Sequence, residues 1–144
     1  MANALFTAYR NNMLGDNAFT NVQLDADSIK ALFVDHADDT PAPTTDEDIV
    51  DILSAARVPA IASAPALASK TIGTVGAGVF DAADTTFTAL TGDQVESLIL
   101  FKDTGVEATS ILLVFFDTFA SGMPLTPNGG NVTISYSASG IFSV

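Results

Sequence analysis

The only histidine of the chain, His36, stands among three aspartates, Asp35, Asp38 and Asp39. An imidazole beside carboxylates is the pairing that general-base catalysis uses, and with neighbouring oxygens it can also ligate a metal ion. No second histidine accompanies it, and Pro41 and Pro43 follow closely. A solvated loop histidine is therefore the expectation. A second acidic run, Asp46, Glu47 and Asp48, comes shortly after. Calcium wants several carboxylates and carbonyls converging at one point, and neither run has the spaced Asp-x-Asp-x-Asp-Gly loop with a closing Glu. Loop solvation accounts better for the first run, and capping of a helix N-terminus for the second.

Other reactive arrangements fail on spacing. A serine nucleophile needs a partner base and an oxyanion hole, and no Gly-x-Ser-x-Gly elbow is present. Gly73, Gly76 and Gly78 resemble a nucleotide loop only superficially. A phosphate-cradling loop demands Gly-Lys-Ser/Thr, a dinucleotide turn demands a following helix, and here Val79 and Phe80 continue as a strand. A bulge or hairpin turn is expected there. The chain has no cysteine, which removes disulfides, thiolate metal sites and thiol nucleophiles. Seventeen acidic residues against five basic ones give a net charge of -12, which repels nucleic-acid phosphates and anionic membranes. The expectation is a protein that is not an enzyme, with no cofactor, no metal, no nucleic-acid partner and no membrane partner.

The elements around these residues point to a mainly β chain. Ala4–Leu14 carries Leu5, Ala8, Tyr9 and Met13 near helical spacing, between a possible N-cap at Asn3 and a stop at Gly15. It is expected to be a short amphipathic helix. Asp27–Asp35 alternates Ile29, Ala31 and Phe33 with Lys30, Leu32 and Val34, as a strand does. His36–Thr45 is an expected loop. Asp46–Ala56 has Ile49, Ile52 and Leu53 at helical spacing and is expected to be a short surface helix. Arg57–Ala68, with Pro59 and Pro65, suits an extended connector.

Four segments of strand character follow, around Lys70–Phe80, Thr85–Leu90, Ser97–Asp103 and Ser110–Asp117, and then an expected closing pair, Asn131–Ser137 with Ile141–Val144. In a regular extended strand Leu112, Val114 and Phe116 share one face, and Leu113 and Phe115 the other. Both faces are apolar, so this strand is expected to be central or covered by a neighbouring subunit. The fold class is mainly β, an antiparallel β-sandwich or jelly-roll-like domain with a short N-terminal helix and one short surface helix. A length of 144 residues fits one domain over 1–144, with 1–15 as an N-terminal arm or helix and 16–144 as the β domain. The longest apolar stretch, near Ile111–Phe116, falls far short of the ~20 residues of a membrane-spanning helix. The N-terminus lacks the basic region of a secretory signal.

Several segments in fixed order carry a resemblance. They are Val79-Phe-Asp-Ala-Ala-Asp-Thr-Thr-Phe-Thr88, Thr91-Gly-Asp93, Glu96-Ser-Leu-Ile99, Phe101-Lys-Asp-Thr-Gly105, Ala108-Thr-Ser110, Pro124-Leu-Thr-Pro-Asn-Gly-Gly130 and Ile141-Phe142. Together with Ala2-Asn-Ala-Leu5 and Ile29–Asp35, this string resembles a family of small structural proteins from the virions of tailed bacteriophages and prophages. The resemblance implies a place in the particle as a capsid cement or decoration protein on the outer capsid surface, made in the host cytoplasm. The implied partners are the major capsid protein and copies of the chain itself, as a homo-oligomer or lattice-bound subunit. A tail or head-to-tail connector component is the alternative, and a host-glycan-binding β module a second one. The latter is disfavoured by the absence of Trp and the presence of only two tyrosines. In the cement reading Met1–Gly15 is a shell-gripping arm with Leu5, Phe6 and Tyr9 as contacts, or else a helix packed on its own domain.

Overall fold

The computed structural model describes residues 3–117 and 122–144. Its centre is a sheet of apolar strands. In chain order the elements are β1 (Ala4–Leu5), α1 (Thr7–Met13), β2 (Ile29–Val34), β3 (Arg57–Val58), β4 (Thr71–Ile72), β5 (Val79–Asp81), β6 (Thr85–Phe87), β7 (Ser97–Lys102), β8 (Leu112–Phe116), β9 (Val132–Ile134) and β10 (Phe142–Ser143). The main sheet has the order β1-β8-β7-β2-β3, and smaller sheets are formed by β10-β5-β4 and by β6-β9. The pairings are antiparallel. The chain is thus mainly antiparallel β with one α-helix, sandwich-like and open rather than a closed barrel.

Alternation along β2 and β7 divides the core into two layers. Ile29, Ala31, Phe33, Leu98 and Leu100 meet Phe80, Phe87, Val132 and Phe142 of the small sheets on one face. Leu32, Val34, Ile99 and Phe101 pack on the other face against Phe6, Ile49, Ile52, Ala56 and Ala64. Both faces of β8 are covered by the chain itself, as for an interior strand.

Its residues do not alternate as a regular strand would. The pairing with β7 shifts register between Leu100 and Phe101, so Leu100 faces Val114 while Phe101 faces Leu112. The extra residue, Leu113, forms a β-bulge that flips the parity. Leu112 and Phe115 share one layer, and Leu113, Val114 and Phe116 the other. The Leu113 carbonyl accepts the Phe6 N–H at 3.0 Å. Phe6 then sets its ring edge-on to Phe115, with centroids 6.5 Å apart.

Two other segments differ from expectation for local reasons, and the glycine stretch takes the expected hairpin turn. The helix of Asp46–Ala56 is wound as two 3-10 turns, Ile49–Asp51 and Ser54–Ala56. Asp48 accepts from the Val50 N–H while Asp51 reaches back to the N–H groups of Glu47 and Asp48. Ile52 is extended, and the Arg57 guanidinium satisfies the carbonyls of Ile49 and Ile52 in place of a further helical turn. Lys70–Phe80 is a hairpin: β4 and β5 flank the glycines, and Gly78 is required there both by its φ of +71 and because a Cβ would come within 2.7 Å of the Val144 carbonyl. The expected closing pair is split. β9 joins β6 and β10 joins β5, since a turn from Ser137 to Gly140 redirects the chain and Phe142 seats against Phe80 and Tyr9. The Pro-rich connector lies along the edge of β2, with the Ala31 N–H donating to the Pro65 carbonyl.

Candidate functional site

The antiparallel register of β2 and β7 sets Val34 opposite Ser97. The turn that follows β2 therefore lies beside the start of β7. His36 lies in that turn, as expected of a loop residue, but is half-buried rather than fully solvated. Its Nε2 lies 2.7 Å from Ser97 Oγ, its backbone N–H donates to Glu96 Oε2 at 2.9 Å, and its ring stacks on Phe115 with centroids 6.4 Å apart. A serine and a histidine in contact have the outline of a nucleophile and its base. Ser97 is fully buried, however, and among the described residues no carboxylate bonds the other ring nitrogen. A substrate carbonyl has no approach to that hydroxyl. The pair joins the end of β2 to the start of β7.

The carboxylates of the same turn separate. Asp35 is only 5 % exposed and accepts the Ala37 N–H at 2.7 Å, while Asp39 accepts the Leu53 N–H at 2.7 Å from a distant loop. Oxygens of Asp35, Asp38 and Asp93 come within 4.8 Å of one another. Asp38 and Asp93 are exposed, and three carboxylates fall short of the roughly six to eight oxygens that calcium takes. Asp93 is a member that sequence reasoning missed, because only the β2–β7 register brings it there. In the second acidic run, Asp48 caps a 3-10 turn, as the capping expectation holds, and Asp46 accepts the Ala42 N–H. Burial, with Asp51 and Asp39 nearby, raises the Asp46 pKa against the opposing pull of that N–H.

Leu5, Phe6 and Tyr9 come together at the sheet edge but on different faces. Leu5 is half-buried beside Val114, Phe6 is fully buried in one layer, and Tyr9 is 2 % exposed in the other. In this conformation Phe6 and Tyr9 serve the chain's own core, and the first two residues of the expected arm lie outside the described residues.

Sequence reasoning also missed a reciprocal clamp. Lys30 of β2 pairs with Asp103, just past β7, at 2.7 Å; Lys102 of β7 pairs with Asp27, just before β2, at 2.9 Å. A lysine inside each apolar strand was the available signal, since a buried ammonium needs a carboxylate. Arg57 pairs with Glu107 at 2.9 Å, and Lys70 donates to the Asp27 carbonyl. An open groove of about 330 Å³ between Ile61 and the 103–110 loop is walled by Lys30, Asp103 and Glu107, all already engaged in these pairs. Among the described residues no buried side-chain nitrogen or oxygen lacks a hydrogen-bond partner. No described helix is long and apolar enough to cross a membrane. The chain matches no protein-family model and no curated protein sequence.

Proposed function

We propose that this chain is a structural protein of a tailed-bacteriophage particle, acting as a capsid cement or decoration protein on the outer shell. Besides the resemblance of its ordered segments, one observation carries the reading: the side chains with reactive potential serve to hold strands and loops. Ser97 and His36 join two strands, Asp48 and Asp51 cap a turn, and Arg57 binds two carbonyls and a carboxylate. A sheet covered on both faces is a stiff body, which suits a clamp that resists shell expansion without performing chemistry.

The major capsid protein is the partner in this reading. Net charge of -12 favours a place facing solvent, away from packaged DNA. The glycan-binding alternative gains nothing from the tyrosines, since Tyr9 is buried and the Tyr136 hydroxyl bonds Thr85 at 3.1 Å. Mass spectrometry of separated heads and tails from particles encoding this chain provides the test. Recovery with heads is expected, and recovery with tails alone would replace the cement role by a tail or connector role.

A further inference from the structure

Charged side chains are absent from residues 71–80 and from residues 118–144, although 15 % of the whole chain is charged. The fold brings large parts of these two stretches together. β10 pairs with β5 and β5 with β4, while the Val144 N–H donates to the Gly78 carbonyl at 3.1 Å. Gly140 approaches the hairpin so closely that a Cβ would collide with Val79 and touch Val75. The outcome is one end of the molecule with no charged side chain between Thr71 and Phe80 or along β10, and with exposed apolar ones: Ile72 is 52 % exposed and Val75 44 %. It also presents two edge strands, β4 and β10. Asp81, opposite Thr71, and Asp84, whose oxygens accept from Ser135 Oγ and the Tyr136 N–H, border this end.

We infer that this end, the tip of the β4–β5 hairpin from Thr71 to Phe80 with β10, is the face through which two copies of the chain associate. Two bodies of charge -12 repel, and apposed carboxylates need cations between them. Lys30, Arg57 and Lys102 are already held in ion pairs within the chain. A like-charged copy can therefore meet this end with acids only at its border, Asp81 and Asp84, whereas a basic partner would be steered to the more acidic surfaces instead. A twofold contact places the same apolar residues of both copies against each other, and shields edge strands that otherwise invite indiscriminate pairing.

Sedimentation of the full chain over a range of protein and salt concentrations tests this. A dimer is expected whose association strengthens with salt, because screening weakens the net repulsion. Val75→Asp and, separately, Ile72→Asp are expected to weaken it about tenfold or more, since each puts two carboxylates into the contact. Leu53→Asp, at an exposed apolar position between the two 3-10 turns, is expected to leave it unchanged. Melting temperatures of all three variants should stay near the parent value, the altered side chains being at least two-fifths exposed. A monomer at every concentration, or a dimer indifferent to both hairpin substitutions, would overturn the inference. Either result leaves the virion reading standing, because a monomer can also occupy a shell site.

Discussion

Tyr9 and Tyr136 are the only tyrosines of a chain without tryptophan, so their ionisation can be followed directly by absorbance. Burial pushes the Tyr9 hydroxyl up to about 12 from an ordinary 10.0. Burial also raises Tyr136, with Asp84 pushing the same way and the Thr85 hydroxyl pulling back. A folded-state pKa above the unfolded one means that the folded chain holds the proton longer. The stability linked to Tyr9 is therefore complete below pH 10.0 and is lost as pH rises towards 12. Denaturation measured across that range should show a fall to which Tyr9 contributes about 2–3 kcal/mol, and Tyr9→Phe removes that share while the Tyr136 share remains.

Asp103 behaves oppositely. Burial alone would raise its pKa, but the Lys30 ammonium and the Gly105 N–H outweigh that and hold it below the usual carboxylate range. Its contribution is present above the unfolded carboxylate pKa and lost as pH falls through the lowered folded value. Asp103→Asn is expected to cost about 1–2 kcal/mol at neutral pH, with the difference from the parent narrowing in acid. Arg57→Met should cost about 1–3 kcal/mol by the same assay, because it strands the Ile52 carbonyl and leaves the Ile49 carbonyl only the Ile52 N–H.

Among the elements, the bulge at Leu113 has the widest consequences. It lets Phe115 enter the same layer as Leu112, and its carbonyl anchors Phe6, which extends the β1–β8 pairing to the start of α1. Phe6→Ala is expected to destabilise the fold by about 3–5 kcal/mol, measured by denaturant unfolding, because it empties a fully buried ring site. Amide exchange should be slowest in β2, β7 and β8, whose residues lie in the buried sheet, and faster in the exposed β4–β5 hairpin.

The long strands were legible because their apolar runs need burial wherever they lie: Ile29–Val34, Ser97–Lys102 and Leu112–Phe116 all fall inside segments that period and composition mark. What escaped was pairing over distance. Phe142 joins Phe80 rather than the neighbouring strand, and Asp93 reaches Asp35, through contacts between segments that no local pattern encodes. The parity of β8 was hidden for a related reason, since a bulge is a property of two strands together. His36 had the same difficulty. Its loop composition indicates solvent, and only the Val34–Ser97 register turns it inward.

At the scale of the whole molecule, charge and hydrogen bonding describe a body organised around its own rigidity. Apolar layers lie on both faces of the central sheet, reciprocal lysine–aspartate pairs fix the two middle strands, and charge is withheld from one end. That organisation accords with a passive clamp in a larger assembly. The decisive measurement is a density map of the intact particle encoding this chain. Density for the antiparallel sheet is expected on the outer shell, bridging neighbouring capsid subunits. A shell without such density, with the chain missing from the purified particle, would contradict the clamp role.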